Sequence, residues 1–169
     1  LAINPDYAEA HNNLGNTFKK LEQLDKAVAS YNKALAINPN LAEVHRNLGN
    51  VFNELGQLEE AVSSYNKALA IKPDYTDAHY NLSIVLQDLG RLDEAVASYN
   101  KTLATKPDLA KAHYNLGNAL KEQGKLDEAV ASYNKALAIE PDLAEVLVEF
   151  AINSWVHAEQ DECIDRINT

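Results

Sequence analysis

The chain has 169 residues, with 15 lysines and arginines against 25 aspartates and glutamates, so its net charge is −10. This acidity argues against nucleic-acid binding, which depends on clustered cations, and the single cysteine, Cys163, excludes a disulfide framework and a zinc–thiolate site. No apolar run reaches the roughly 18 residues that cross a bilayer, and no signal-peptide pattern opens the chain, so we expect a cytoplasmic protein without a membrane partner.

Internal repetition dominates the sequence. Near-copies of one phrase, Ala-Val-Ala-Ser-Tyr-Asn-Lys-Ala-Leu, begin at Ala27, Ala61, Ala95 and Ala129, which is a period of 34 residues. A fixed period of this size predicts a stacked array in which each unit buries its apolar face against its neighbours. No stretch alternates apolar and polar residues with period two, so we predict no strands and an all-α solenoid.

Each period contains two predicted helices. Apolar residues in 42–55 follow a helical stripe, and Gly56 marks the end of that helix. A second amphipathic stretch begins at Glu59 and ends before Pro73. A residue suited to capping the next helix follows each proline, and these predicted N-caps are Asp6, Asn40, Asp74, Asp108 and Asp142.

The pattern resembles the tetratricopeptide repeat, a helix–turn–helix unit that stacks into a right-handed superhelix. The residues that carry the resemblance are Leu48, Gly49, Phe52, Gly56, Ala61, Tyr65, Ala68 and Pro73. The resemblance implies four full repeats at 8–41, 42–75, 76–109 and 110–143. Residues 1–7 would end the second helix of a truncated preceding repeat, and 144–169 would form a degenerate partial repeat or a capping segment.

Three departures from the repeat are local. Glu22 stands where the other inter-helix turns have glycine, and Ser83 replaces a small glycine of the first helix. Thr102 replaces an alanine of the second helix. Serine and threonine are compact enough for close helix contact, so we expect these repeats to keep the fold.

The sequence offers no catalytic motif. It lacks a phosphate-binding glycine loop, a nucleophile elbow and paired catalytic carboxylates, so we predict neither an enzyme nor a cofactor. Four histidines, His11, His45, His79 and His113, recur once per repeat. A metal site needs three or four converging ligands, so we interpret them as packing residues rather than metal ligands.

The resemblance also implies a binding groove, because the first helices of such repeats line the concave side of the superhelix. The expected partner is a protein or an extended peptide, held without nucleic acid or membrane. The predicted groove residues are Asn12, Asn13, Asn16, Arg46, Asn47, Asn50, Tyr80, Asn81, Ile84, Lys111, Tyr114, Asn115 and Asn118.

Asparagine recurs at the sixth and ninth positions of these repeats, which start at Ala8, Ala42, Thr76 and Ala110. A carboxamide has both a donor and an acceptor, so it can pair with any peptide backbone. The ladder is similar to that of O-linked N-acetylglucosamine transferases, which implies a scaffold that holds extended peptide. The alternative is that the asparagines join adjacent repeats by hydrogen bonds.

Other interpretations stay open. The chain could be the substrate-recruiting arm of a larger enzyme such as a protein O-glycosyltransferase, or it could associate with itself through residues 144–169. Four of the five positions of a chaperone-type carboxylate clamp are met by Arg46, Asn50, Asn81 and Lys111, while Asn115 breaks the fifth. Along the groove, Tyr80, Ile84 and Tyr114 predict an apolar or aromatic anchor for a peptide whose other end is polar.

Overall fold

The computed structural model describes residues 5–142, with side chains from residue 7 onward. Over this range the chain forms eight α-helices and no strand. The helices are α1 (Pro5–Lys20), α2 (Leu24–Ile37), α3 (Ala42–Glu54), α4 (Leu58–Ile71), α5 (Thr76–Asp88), α6 (Leu92–Thr105), α7 (Ala110–Glu122) and α8 (Leu126–Ile139). The predicted all-α fold and the two helices per period are therefore confirmed.

Successive helices pack as antiparallel pairs, α1 with α2 through to α7 with α8, and each pair contacts the next one along the chain. Buried apolar side chains run through the stack from one pair to the next, and among them Tyr31, Tyr65 and Tyr99 are almost fully buried. Because each pair buries its apolar face only against its neighbours, the molecule is an α-helical solenoid.

Close contact between the two helices of a pair depends on glycine. A Cβ atom placed on Gly49 of α3 would lie 2.6 Å from Cε1 of Tyr65 in α4. Gly15 and Gly117 face Tyr31 and Tyr133 in the same way, at 2.5 Å. The third pair has Ser83 at this place, fully buried, with its Oγ donating to the main-chain oxygen of Tyr80 at 2.6 Å. Serine is accommodated there, as its small size predicts.

The turn between the helices of a pair needs a left-handed backbone. Gly56, Gly90 and Gly124 have φ between 71° and 76°, a region that glycine adopts without steric cost. Glu22 occupies the same place in the first pair with a φ of 57°, and it is the one non-glycine residue with positive φ in the described chain. The fold is kept, as predicted, but at the cost of a strained turn.

The predicted N-caps are wrong for α3, α5 and α7. Their N-cap residues are Leu41, Tyr75 and Leu109, and none makes a side-chain capping bond. Asn40, Asp74 and Asp108 lie one residue earlier, in the turn that follows each proline. The proline turn thus takes up one more residue than the sequence pattern suggests, which moves the polar side chain away from the first free N–H groups.

In the described chain α1 extends from Pro5 to Lys20, and residues 1–4 lie outside the described residues. The expectation that residues 1–7 end the second helix of a truncated preceding repeat stays a prediction. The segment 144–169, predicted to be a partial or capping repeat, lies outside the described residues.

Candidate functional site

The first helix of each pair lies on the inner side of the solenoid. Within the described chain, α1 contacts α3, α3 contacts α5 and α5 contacts α7, whereas no such contacts join α2, α4, α6 and α8 to one another. Because the first helices approach one another more closely than the second helices, the stack curves around them. The predicted groove residues all belong to these first helices, which form the concave side.

The ninth-position asparagines bind the tyrosine in the second helix of their own pair. The Tyr65 hydroxyl donates to Oδ1 of Asn50 at 2.8 Å. The same bond joins Tyr31 to Asn16 at 2.7 Å and Tyr133 to Asn118 at 2.8 Å. Each buried hydroxyl thereby has an acceptor, and the tyrosine fixes the orientation of the carboxamide.

The sixth-position asparagines connect one pair to the previous one. Nδ2 of Asn81 donates to Oδ1 of Asn50 at 2.8 Å. Nδ2 of Asn47 donates to Oδ1 of Asn16 and Oδ1 of Asn12, both at 3.2 Å. The structure therefore contains the inter-repeat hydrogen bonds that the sequence left as an alternative to peptide binding.

This network uses only one end of most carboxamides. Asn50 and Asn16 employ Oδ1 as an acceptor, and Asn81 employs Nδ2 as a donor. For Nδ2 of Asn50 and Oδ1 of Asn81, the described chain provides no partner. Because Tyr65 orients Asn50 and Asn50 in turn orients Asn81, a donor and an acceptor remain unused at the junction between α3 and α5.

The ladder is interrupted in the third pair. Ile84 occupies the ninth position, so Asn115 donates instead to the Tyr80 hydroxyl at 3.2 Å. The Tyr99 hydroxyl, without its asparagine, donates to Oε1 of Gln87 at 3.2 Å. An apolar side chain thus replaces the carboxamide in this part of the groove.

Two tyrosines lie beside this interruption. Tyr80 packs edge-on against Tyr99 with ring centroids 6.4 Å apart, and Tyr114 packs against Tyr133 at 5.9 Å. Tyr80, Tyr114 and Ile84 are all half-buried, which leaves part of each side chain accessible. Burial raises the pKa of the Tyr80 hydroxyl, so it stays protonated at neutral pH.

A small cavity of about 210 Å³ opens in the groove between α1, α3 and α5. Nζ of Lys19 and Oε1 of Glu54 form an ion pair at 2.9 Å on its wall. The full lining is Lys19, Asn50, Asn53, Glu54, Tyr65, Asn81 and Ile84. The cavity therefore joins the asparagine ladder to the apolar part of the groove.

The residues of the predicted carboxylate clamp are only partly available. The Arg46 guanidinium donates to Oδ1 of Asn47 at 2.9 Å and lies 5.5 Å from the centre of the Tyr75 ring. Asn50 and Asn81 bond each other, and Lys111 is exposed on α7. Among the predicted groove residues outside the clamp, Asn13 has an exposed side chain on α1.

The histidines hold the proline turns. Nε2 of His45, His79 and His113 lies 2.8 to 2.9 Å from the carbonyl oxygen of Pro39, Pro73 and Pro107 respectively. This contact fits the predicted packing role, and it fixes the turn against the start of the next helix. In residues 5–142, no group of three histidine, cysteine, aspartate or glutamate side chains is placed to hold a metal ion.

Sequence reasoning did not single out Glu9, Asn38 and Glu43, which line a larger cavity between α1 and α3. A signal of this cavity was present in the alignment of the repeats, because Asn38 stands where Lys72 and Lys106 stand later.

Across the described chain, no helix is long and apolar enough to span a membrane. The cytoplasmic location stays a prediction.

Protein-family models match most of the chain. A model described as TPR repeat matches residues 15–54, 49–90 and 85–124, and the tetratricopeptide repeat model matches residues 110–143. No curated protein sequence gives a match.

Among solved structures, the chain is similar to a crystal structure of MamA, with 30% identity over 84% of this chain and 83% of that one and a TM-score of 0.78. A second MamA crystal structure has 30% identity, coverage of 83% and 77%, and a TM-score of 0.76. MamA 41-end from Desulfovibrio magneticus RS-1 has 23% identity, coverage of 80% and 77%, and a TM-score of 0.77, so that likeness shows the fold alone.

Proposed function

Because the chain belongs to the tetratricopeptide repeat family, whose members are protein–protein interaction scaffolds, we propose that it binds an extended peptide segment of a partner in its concave groove. The single observation that supports this most strongly is the polarised asparagine ladder. Tyrosine and asparagine partners fix the inward ends of the carboxamides, and the unused ends are one donor and one acceptor at the α3–α5 junction.

An extended backbone needs this combination of groups. A peptide in β conformation presents N–H and C=O groups along its length, and fixed carboxamides can pair with both whatever the side chains are. Internal hydrogen bonding therefore supports peptide binding, because carboxamides that are already oriented lose little entropy when a ligand arrives. The two interpretations of the ladder are compatible.

The groove changes character along its length. Asn12, Asn13 and Asn16 line its first part, whereas Tyr80, Ile84 and Tyr114 supply half-buried apolar surface in its later part. We expect the bound segment to place an apolar or aromatic side chain against these three residues, where burial of carbon surface adds affinity. The remaining contacts would be polar and largely to the backbone.

The test changes the unused donors while keeping the internal bonds. Asn16→Asp, Asn50→Asp and Asn118→Asp together keep an acceptor for each tyrosine but remove Nδ2 from the groove. The matched control is Asn32→Asp, Asn66→Asp and Asn100→Asp, which adds the same three charges at exposed positions of α2, α4 and α6. Partners are captured on the immobilised full chain and identified by mass spectrometry.

We expect the groove variant to lose the captured partners and the control variant to keep them, with both variants folded by circular dichroism. A third variant, Ile84→Asn, should reduce the binding of peptides with an apolar anchor. Equal capture by the groove and control variants would contradict the proposal, because the partner would then bind elsewhere on the molecule.

A further inference from the structure

A cavity of about 600 Å³ lies at the first inter-repeat junction, between α1 and the start of α3. Glu9 and Glu43 contribute carboxylates, and both side chains are exposed without an ion-pair partner in the described chain. No lysine or arginine lines the cavity; its residues are Ala8, Glu9, Asn12, Asn13, Asn38, Asn40, Leu41, Ala42, Glu43 and Val44. The lining thus combines carboxylates, amide groups and an apolar surface.

The next junction along the array shows what fills the equivalent space. Residues 34 positions later correspond, so Asn12 becomes Arg46, and the pair Glu9 and Glu43 becomes Glu43 and Asp77. The Arg46 guanidinium lies 5.5 Å from the ring of Tyr75, which corresponds to Leu41. The same guanidinium donates to Oδ1 of Asn47 at 2.9 Å, and Asn47 corresponds to Asn13 of the cavity lining.

Two lysines lie at the later junctions in addition to Arg46. Nζ of Lys72 lies 4.7 Å from the centre of the Tyr75 ring, and Nζ of Lys106 lies 3.9 Å from Oδ1 of Asp77 at the third junction. Asn38 takes the place of Lys72 and Lys106 at the first junction. Among the junctions of the described residues, only the first has asparagine both at the place of Arg46 and at the place of the loop lysine, so no described cation pairs with its two carboxylates.

We infer that this cavity binds a basic side chain of the peptide partner, with arginine preferred over lysine. The guanidinium occupies the space that Arg46 fills one junction later, facing Glu9 and Glu43, and its stem lies along Leu41 and Val44. Arginine has five donors in a planar fork, which suits two carboxylates and several amide oxygens better than the single ammonium of lysine. This inference rests on the proposed function, because the side chain belongs to the groove-bound segment.

The experiment uses the ¹⁵N-labelled chain and N-acetyl-arginine N-methylamide as the probe. We expect its addition at millimolar concentration to shift the side-chain amide signals of Asn12, Asn13 and Asn38 and the backbone amides of residues 41–44. The lysine analogue should bind more weakly, and the neutral citrulline analogue should leave these signals unchanged. Higher ionic strength should weaken the binding, because the carboxylates are exposed.

Two variants test the site itself. Glu9→Gln with Glu43→Gln should weaken probe binding by about tenfold or more, since charge-assisted hydrogen bonds are lost. Asn12→Arg should block the cavity by supplying the arginine from the chain. The charge-matched control, Asp127→Asn with Glu128→Gln on α8, removes two exposed carboxylates away from the cavity and should bind the probe like the wild type.

The inference is overturned if the shifts are spread over acidic residues elsewhere, or if the Glu9 and Glu43 variant binds the probe as well as the control does. These outcomes are distinct from failure of the proposed function. If a partner is captured through the asparagine ladder while the arginine probe fails to bind, the groove proposal stands and the arginine site is excluded. If the probe binds but no partner is captured, the arginine site stands and the groove proposal is not supported.

Discussion

At the scale of single residues, the contact between Gly49 and Tyr65 sets how closely α3 and α4 approach. An added Cβ would lie 2.6 Å from Cε1 of the tyrosine ring, well inside contact distance. We predict that Gly49→Ala lowers the free energy of unfolding by about 1–3 kcal/mol, the usual cost of overpacking a core. Urea denaturation followed by circular dichroism measures this difference.

The matched control for that substitution is the same change in a chain that carries Tyr65→Leu. Without the ring, the added methyl group has space, so the second cost should be much smaller than the first. Equal costs in the two backgrounds would show that the glycine is required for another reason.

Glu22 supplies a second test at this scale, because it holds a left-handed backbone with a φ of 57°. A residue with a Cβ atom loses roughly 1–2 kcal/mol in this region, whereas glycine loses little. We predict that Glu22→Gly raises the free energy of unfolding by about 1 kcal/mol. The melting temperature of the variant should rise accordingly.

The opposite change at the equivalent turn is the control. Gly124 has a φ of 76° and nothing within 4 Å of an added Cβ, so Gly124→Ala changes only the backbone strain. It should lower stability by a similar amount. A neutral Gly124→Ala, or a destabilising Glu22→Gly, would contradict the strain argument.

At the scale of elements, the buried tyrosines join the two helices of a pair. They should also make the fold less stable at alkaline pH. Burial raises the pKa of the Tyr31 hydroxyl from 10.0 to about 12, and it also raises the pKa of Tyr65 and Tyr99. In the unfolded chain these hydroxyls lose their protons near pH 10. Above that pH the folded state binds more protons than the unfolded state, so stability falls as pH rises from about 10 toward 12.

The free energy of unfolding, measured in urea, should therefore be markedly lower at pH 11.5 than at pH 9. Lysines also titrate in this range, so the comparison is made with Tyr65→Phe, which removes one buried hydroxyl and keeps every lysine. The fall with pH should be smaller in the variant. Identical falls in the two proteins would assign the effect to other groups.

Much of each helical element could be predicted from the sequence, because apolar periodicity, turn glycines and prolines recur with the 34-residue period. The helix caps could not be predicted. Asn40 and Asp74 have the residue types of N-caps, but the proline turn shifts the helix start by one residue. The ladder residues were also predictable. The hydrogen-bond partners of these asparagines could not be predicted, because the acceptor for Asn81 depends on how two repeats stack and not on either repeat alone.

At the scale of the whole molecule, stability and the proposed binding both depend on contacts between neighbouring pairs. Asn47 and Asn81 connect consecutive pairs through hydrogen bonds, and the third pair replaces the ladder with the apolar Ile84. The apolar Ile84 thus interrupts a series of asparagines along the first helices. Under the proposed function, a partner that binds this series must be extended enough to contact several pairs.

The most direct test of this account follows the side-chain amide signals of the ¹⁵N-labelled chain while a captured partner peptide is added. We predict that the Nδ2 signals of Asn16, Asn50 and Asn118 shift with peptide concentration, while those of the outer asparagines Asn32, Asn66 and Asn100 stay unchanged. Shifts confined to the outer asparagines would contradict the account, because the peptide would then bind the convex side of the solenoid.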